Sequence, residues 1–186
     1  TLDSWNLSAG LTNWDLNGTS SFVIDLSADS ENLTVANSDN IFLDNFSIPG
    51  NITTVAGTGT DGFGGDTGAA TAAQLNLPHG MAYDSAGNFY IADTYNHRIR
   101  RVTPTGIIST VAGNGTAGFA GDGVGATGAM LNTPAAITVD SAGNIYIADT
   151  YNHRIRKVTP GGVISTVAGN GTGGFGGDGA AATSAG

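Results

Sequence analysis

A regular repeat of 56 residues constrains the fold of this 186-residue chain more than any other feature. The segment TVAGTGTDGFGGD begins at Thr54 and returns with few changes at Thr110 and Thr166. The segment DSAGNFYIADTYNHRIRRVTP begins at Asp84 and returns at Asp140. A repeat of this length is one supersecondary unit that buries its apolar face only against a neighbour. The chain is therefore predicted to stack similar units.

Each repeat is predicted to contain four short β-strands. In the first complete copy, GMAYD, NFYIAD, RIRRV and IISTVAG have strand patterns, whereas SAGN, TYNH and TPTG are typical of turns. Four antiparallel strands per repeat favour an all-β fold made of β-propeller blades. We predict repeats at 51–106 and 107–162 and a partial repeat at 163–186, with two complete blades. The segment 51–57 is predicted to be the last strand of a blade whose earlier strands are missing.

The repeat core NFYIADTYNHRIRRV, with loops such as GNGTAGFAGDG, resembles the NHL-repeat family of β-propellers in its bacterial extracellular form. The resemblance covers residues 51–186 and implies a propeller, usually of about six blades. Two blades alone leave sheet edges and half of a core uncovered. We therefore expect either that further repeats follow in the same chain, which we favour, or that copies of the chain assemble.

Residues 1–50 match no repeat and are predicted to form a separate β-rich segment. SFVIDLS, NLTVAN and IFLDNFSI have strand patterns, and the last of these resembles the end of bacterial jelly-roll domains that often bind carbohydrate. Trp5 and Trp14 are either core residues or an exposed platform for a sugar. An apolar strand in this segment would also suit donation to the sheet of a neighbouring molecule.

The charge distribution excludes several classes of partner. The net charge is −9, and all six basic residues lie in the two copies of ADTYNHRIR(R/K)V. Phosphate binding needs clustered bases, so nucleic acid is not expected as a partner. No apolar run approaches the roughly 20 residues that span a bilayer, so membrane insertion is not expected either. A surface of Ser, Thr, Asn, Asp and Gly, with one Lys and one Glu, favours a secreted or cell-surface protein.

The ADTYNHRIR motif places an acid, a tyrosine, a histidine and arginines close together, which suits either catalysis or a structural hairpin. In the structural interpretation, asparagine takes the positive φ of the turn, and the aspartate accepts hydrogen bonds from turn amides or an arginine. The arginines alternate with apolar residues, as on a strand with one face in solvent. The residues assigned to this structural hairpin are Asp93, Asn96, Arg98, Asp149, Asn152 and Arg154.

Propeller topology would bring the TYNHR turns and the glycine-rich loops to one face. The candidate binding residues on this face are Tyr95, His97, Tyr151 and His153. The two histidines belong to neighbouring blades, and an expected separation above about 10 Å is too large for one zinc ion. No metal site and no cofactor are predicted from them. Oxygen-rich loops suit calcium, for which the candidate ligands are Asp61, Asp66, Asp122 and Asp178.

The glycine-rich loops are predicted to fold over a blade edge. They lack the Lys-Ser or Lys-Thr pair of a phosphate-binding loop and recur at every blade. Their phenylalanines, Phe63, Phe119 and Phe175, would then act as apolar plugs. The following segment DTGAATAAQL, at 66–75, is predicted to be a short helix that is capped by Asp or Thr, with Ala72 and Leu75 turned inward.

These patterns favour a non-enzymatic extracellular propeller module of a bacterial surface or secreted protein, acting in structure, adhesion or self-assembly, for instance as a fibre subunit. Near-identical repeats are typical of scaffolds, since an active site usually needs one blade to differ. The expected partners are other copies of the chain or further repeats. The alternative is a propeller domain that binds a carbohydrate, a peptide or another protein ligand.

A third hypothesis is that the chain is a lyase or lactonase, because the resemblance extends to such enzymes. A related peptide-amidation lyase binds its metal through histidines near the central channel. The channel-facing positions here are expected to be Met81, Ala82, Ile137 and Thr138, and His79 has Ala135 as its copy. No ring of ligands is therefore predicted, and we expect the chain not to be an enzyme.

Overall fold

The computed structural model describes residues 53–186, which form two four-stranded antiparallel β-sheets. Blade 1 consists of β1 (Pro78–Tyr83), β2 (Phe89–Asp93), β3 (Arg98–Val102) and β4 (Ile108–Ala112). Blade 2 consists of β5 (Pro134–Val139), β6 (Ile145–Asp149), β7 (Arg154–Val158) and β8 (Ile164–Ala168). In each sheet every strand pairs with the next one along the chain. The predicted all-β fold with two complete blades is confirmed, whereas the predictions for residues 1–50 lie outside the described residues.

An aspartate fixes the turn between the first two strands of each blade. In blade 1, Asp84 Oδ1 accepts hydrogen bonds from the backbone N–H groups of Ala86 and Asn88 at 3.0 and 2.9 Å. Asp84 Oδ2 accepts from the hydroxyl of Tyr90 at 3.0 Å. Gly87 takes a φ of 80° in this turn, which suits a residue without a Cβ. The SAGN sequence thus ends one strand and starts the next in register.

The strand predicted at 51–57 is absent from its described part, residues 53–57. The corresponding strand of blade 1, β4, pairs with β3 of the same sheet. None of the strands in residues 53–186 pairs with 53–57. A strand pattern alone does not produce a strand, because the backbone groups must be paired by a neighbour.

The loop before blade 1 contains a single 3₁₀ turn, Ala70–Ala72, instead of the predicted helix. No side chain caps this turn, and Ala72 is exposed, so both of those predictions are wrong. The loop backbone instead pairs with β4, where the N–H of Thr67 donates to the carbonyl of Ile108 at 2.8 Å. Leu75 packs partly buried against the core of blade 1, as the helix pattern predicted.

The apolar core lies between the two blades and below the loop that leads into each blade. The main cluster joins blade 1 to blade 2 and to the loop between them; it contains Tyr90, Ala92, Ile99, Ala112, Ala126, Ala129, Leu131, Ile145, Ile147, Val158 and Ile164. A smaller cluster lies on the other side of blade 1; it contains Ala70, Ala73, Ile91, Val102 and Ile108. The helical pieces of residues 53–186 are single 3₁₀ turns, none of them long and apolar enough to cross a membrane.

Candidate functional site

The TYNH turn of each blade consists of one 3₁₀ turn followed by a left-handed residue. In blade 1 the 3₁₀ turn is Thr94–Asn96, and His97 follows with a φ of 53°. Its copy His153 has a φ of 49°. The prediction that asparagine takes the positive φ is therefore wrong. Asn96 stays inside the 3₁₀ turn, where its side-chain amide donates to both carboxylate oxygens of Asp93.

Asp93 lies at the centre of a buried polar network. Its Oδ1 accepts a hydrogen bond from the backbone N–H of Asn76 at 2.7 Å, and Asn96 Nδ2 lies 2.9 Å from each of its oxygens. Its Oδ2 accepts from Arg100 Nη1 at 3.2 Å, and neither of these two charged side chains is exposed. The carboxylate therefore ties the turn to the loop before the blade and to the neighbouring strand.

Arg100 joins this network to the glycine-rich loop. Its Nη2 donates to Asp66 Oδ1 at 2.7 Å and to the carbonyl of Gly64 at 3.1 Å, so one guanidinium bridges two carboxylates. The prediction that the arginines of this strand face solvent is wrong for Arg100 and for its copy Arg156, because both are fully buried. The loop folds over the strand and supplies the oxygen acceptors that a buried guanidinium requires.

Blade 2 contains the same network. Arg156 Nη1 lies 3.2 Å from Asp149 Oδ2, and its Nη2 lies 2.8 Å from Asp122 Oδ1. Asp149 also accepts from the N–H of Asn132 at 2.7 Å and from Asn152 Nδ2 at 2.8 Å. Burial raises the pKa of Asp149, and these hydrogen bonds and the guanidinium act in the opposite direction.

Neither Arg100 nor Arg156 was predicted as a site residue. The signal that identifies them is a constant spacing of 34 residues, from Asp66 to Arg100 and from Asp122 to Arg156. This spacing recurs with the repeat, so each acid and its arginine belong to the same structural unit.

A phenylalanine of the glycine-rich loop covers the arginines of each blade. The centre of the Phe63 ring lies 4.0 Å from the guanidinium carbon of Arg98 and 4.9 Å from that of Arg100. In blade 2 the guanidinium carbon of Arg154 lies 3.7 Å from the ring centre of Phe119. Of the phenylalanines predicted as apolar plugs, Phe63 and Phe119 thus cover cations, which the negative face of the ring attracts, whereas Phe175 is 94% exposed.

Two of the acids considered for calcium are occupied by other partners. Asp66 and Asp122 are held by the arginines, and Asp66 Oδ2 also accepts from the hydroxyl of Thr110 at 2.7 Å. Within residues 53–186, no group of three or more His, Cys, Asp or Glu side chains is arranged to hold a metal ion. Calcium binding through Asp61 or Asp178 stays a prediction.

The four candidate binding residues have different environments. Tyr95 and Tyr151 are 54% and 66% exposed, and His153 is exposed as well. His97 is half-buried, and its Nδ1 accepts a hydrogen bond at 3.1 Å from the backbone N–H of Thr133, just before blade 2. Burial lowers the pKa of His97, and the charge of the nearby Asp149 opposes this shift. His97 therefore connects the blades, whereas the other three face solvent.

The face of a blade that meets the next blade is called here its trailing face. In blade 1 it contains Tyr90, Ala92, Thr94, His97 and Ile99, and in blade 2 it contains Tyr146, Ala148, Thr150, His153 and Ile155. Ile99 is fully buried, whereas its copy Ile155 is 39% exposed. A groove of about 290 Å³ lies on the trailing face of blade 2 and is lined in part by Ala148, Thr150, His153 and Ile155.

Comparison with known families identifies the repeated unit. Residues 75–102 and 131–158 match the NHL repeat, so the chain contains two NHL repeats. Each match begins in the loop before a blade and ends at the last residue of the third strand. The resemblance seen in the sequence is confirmed at this level.

The similar proteins are much longer than the region they share with this chain. The chloroplastic protein SUPPRESSOR OF QUENCHING 1 of Arabidopsis thaliana is 36% identical over 97 residues, which cover 52% of this chain and 9% of that protein. NHL repeat-containing protein 2 of Bos taurus is 37% identical over 97 residues, which cover 50% and 13%. The crystal structure of an auxiliary nutrient binding protein from Bacteroides thetaiotaomicron aligns with a TM-score of 0.47 at 29% identity, covering 60% of this chain and 28% of that one.

Proposed function

We propose that this chain is a non-enzymatic β-propeller module of a bacterial surface or secreted protein, and that it acts in structure, adhesion or self-assembly. The observation that carries this proposal is the trailing face of blade 2. The equivalent face of blade 1 is covered by blade 2, whereas the face of blade 2 exposes Ile155 and a groove of about 290 Å³. An apolar face that is built to pack against another blade, whether from further repeats of the chain or from another copy, suits a module that works by association.

The contacts of the ADTYNHRIR motif support a non-enzymatic role. A general acid or base must reach the atom to which it transfers a proton. Asp93 and Arg100 are fully buried and are paired with each other, and Asn96 donates to the same carboxylate. The polar groups of the motif that resemble a catalytic set are therefore used to hold the turn, the strand and the loop together.

The proposed location at the cell surface or outside the cell is supported by composition. The chain has one Lys, one Glu and no Cys, and it contains 30 glycines. Antibody detection in culture medium, and in intact cells of the source organism before and after external protease, would test the location. Protein that stays inside the cells and is protected from the protease would contradict it.

Self-assembly is tested with the full 186-residue chain by size-exclusion chromatography coupled to light scattering, over a wide range of concentration. The expected result is a mean mass that rises with concentration above the 18.5 kDa of a single chain. A mass that stays at the monomer value at every concentration would contradict self-assembly.

A second function, the binding of a polysaccharide or a peptide, is favoured by the two exposed tyrosines. Tyr95 and Tyr151 occupy equivalent positions in neighbouring blades and project their rings into solvent. Exposed aromatic rings can stack on sugars or on peptide side chains. Glycan and peptide arrays would test this function, with the Tyr95→Ser/Tyr151→Ser double variant as control. Ligands that bind both proteins equally would contradict a role for this face.

A further inference from the structure

The glycine-rich loop that follows each blade contains the sequence Asn-Gly-Thr. It occupies residues 114–116 after β4 and residues 170–172 after β8. The earlier copy of the loop has Thr58 in place of the asparagine. There the N–H of Thr60 donates to Thr58 Oγ1 at 3.3 Å, so a threonine also supports the turn. The turn therefore does not require an asparagine, and the group that the asparagine adds is a carboxamide.

In an Asn-Gly sequence, the peptide nitrogen of the glycine can attack the carboxamide carbon of the asparagine. The new N–Cγ bond closes a succinimide ring, and the C–N bond of the carboxamide breaks. The proton of the peptide N–H leaves with the ammonia that is released. Water then opens the ring at either carbonyl and leaves aspartate or isoaspartate. Glycine favours the attack because it has no Cβ beside the attacking nitrogen, and the reaction is intramolecular.

The attacking nitrogen in the loop after blade 1 belongs to Gly115, which is exposed and has a φ of 90°. Among residues 53–186, no group accepts a hydrogen bond from its N–H. A Cβ at this position would lie 2.5 Å from Arg98 Nη2. Glycine therefore allows a guanidinium to approach the same peptide group that contains the attacking nitrogen.

Arg98 acts on this peptide group through its carbonyl oxygen. Arg98 Nη2 donates to the carbonyl oxygen of Asn114 at 2.6 Å. The peptide nitrogen attacks as it loses its proton, and the negative charge that results lies largely on this oxygen. A hydrogen bond from a cation stabilises that anion more than it stabilises the neutral amide. The carbonyl of Gly113, at 3.0 Å from Nη1, and the Phe63 ring hold the guanidinium in place.

A second donor faces the oxygen of the carboxamide itself. The N–H of Thr116 donates to Asn114 Oδ1 at 2.8 Å, which folds the side chain back toward the following peptide. The same N–H stabilises the negative charge that collects on Oδ1 during the attack. In the loop after blade 2, Arg154 Nη2 lies 2.7 Å from the carbonyl oxygen of Asn170, and the N–H of Thr172 lies 2.7 Å from Asn170 Oδ1. Both contacts therefore recur with the repeat.

We propose that Asn114 is a site of self-modification, which the chain converts through a succinimide into aspartate or isoaspartate, with Arg98 promoting the attack. Asn170 and Arg154 form a second site of the same kind. This inference goes beyond the proposed function and does not depend on it. When water opens the ring at the carbonyl that Arg98 holds, the product is isoaspartate. Its free carboxylate forms beside the guanidinium and can pair with it.

Peptide mapping by mass spectrometry measures the reaction at both sites in one sample. The full 186-residue chain is incubated at neutral pH for several weeks and then digested under acidic conditions, which slow the reaction. Asn114 and Asn170 are expected to lose their amide groups and to give succinimide and isoaspartate. Asn144 is the control, because it precedes Ile145 and its Nδ2 donates to Asp140 at 2.8 Å. It is expected to stay intact.

Arg98→Met tests the role of the guanidinium, with Asn170 of the same molecule as an internal control. The reaction at Asn114 is expected to slow by about tenfold and that at Asn170 to keep its rate. A purely structural role of Arg98 predicts the opposite at Asn114, since a loosened loop reaches the geometry of attack more often. Arg98→Lys keeps a cation and should restore part of the rate. Arg154→Met should slow Asn170 alone.

The reaction must also depend on the folded structure. In urea the contacts of Arg98 and Thr116 are lost, so Asn114 is expected to react more slowly than in the folded chain. An equal or faster reaction in urea would overturn the proposal, and so would an Arg98→Met variant that reacts at Asn114 as fast as the unchanged chain. Circular dichroism establishes that this variant is folded. If it is not, Arg154→Met, read at Asn170, decides the question in the same way.

Discussion

In blade 1 the trailing-face residues Ile99 and Thr94 are fully buried, whereas their copies Ile155 and Thr150 in blade 2 are exposed. The buried charges show no such difference in exposure, because Arg100 and Arg156 each pair with two equivalent acids of their own blade and are both inaccessible to solvent. The two blades have nearly the same sequence, so the difference comes from the neighbour. The charged network therefore forms within one blade, whereas burial of the apolar trailing face requires a second blade to pack against it.

The largest expected effect tests the part of the comparison in which the blades agree. Arg100→Met leaves Asp93 buried without its guanidinium, and Arg156→Met does the same to Asp149. Removing one partner of a buried ion pair costs about 3–5 kcal/mol of unfolding free energy. Urea unfolding followed by circular dichroism should give similar losses for the two variants. Lys157→Met, on the same strand, is the control, and a loss as large as for Arg156→Met would contradict a specific role of the network.

A second pair of substitutions tests the difference between the blades, which is the burial of the isoleucine on the trailing face. Ile99→Ala removes a fully buried side chain and should lower the free energy of unfolding by about 2–5 kcal/mol. Ile155→Ala should cost less than half as much, since the side chain is 39% exposed. Both are measured by urea unfolding at a protein concentration low enough to prevent association. Equal losses would mean that the trailing face of blade 2 is already covered.

An intermediate effect is expected where the blades approach most closely. A methyl group at position 80 would lie 2.5 Å from the carbonyl oxygen of Ala135, so Gly80→Ala must push β1 and β5 apart. Such overpacking costs about 1–3 kcal/mol. Thermal unfolding should show the loss, and Ala136→Gly, the reverse change at the equivalent position of blade 2, should cost about 0.5–1 kcal/mol. A neutral Gly80→Ala variant would contradict the close approach.

The smallest expected effect is a difference between the two histidines in how they make stability depend on pH. Burial lowers the pKa of His97, so the unfolded chain binds a proton at this residue before the folded chain does. Stability is therefore greatest above the unfolded pKa of about 6.5 and falls as the pH decreases through it. Urea unfolding between about pH 7.5 and 5.5 should show this fall, and His97→Gln should reduce it. His153→Gln, which alters an exposed ring, should leave the dependence of the unfolding free energy on pH unchanged. If His97→Gln also leaves this dependence unchanged, protonation of His97 is not its cause.

The strands were predictable from the sequence because their signals are local. RIRRV was predicted as the third strand, and β3 is Arg98–Val102. NFYIAD was predicted as the second, and β2 differs from it by one residue at its start. Period-two patterns and flanking turn residues lie within a few positions of each other. The strand predicted at 51–57 shows the limit of such signals, because a strand also needs a neighbouring strand that pairs with its backbone, and no strand of the described residues does so there.

The buried arginines were not predictable from their own strand. RIRRV alternates like a strand with one wet face, and only the loop that returns from 34 residues earlier makes Arg100 a buried residue. For the same reason, Asp66 was considered as a calcium ligand instead of a partner of arginine. The positive φ was assigned to Asn96 from its residue type, whereas the carboxylate of Asp93 holds that side chain and the next residue takes the left-handed conformation.

The span of each charged network affects the order in which this chain can fold during synthesis. In blade 1 the hydrogen-bonded groups that surround Arg100 lie between Gly64 and Asn96, all on its N-terminal side. When Arg100 leaves the ribosome, every acceptor that its guanidinium needs has already emerged. The apolar side chain of Ile99, in contrast, must wait for Leu131. In a growing chain of such repeats, the buried charges of each blade can therefore be paired as soon as that blade has been synthesised. The trailing face of the newest blade stays exposed until the next blade has been synthesised.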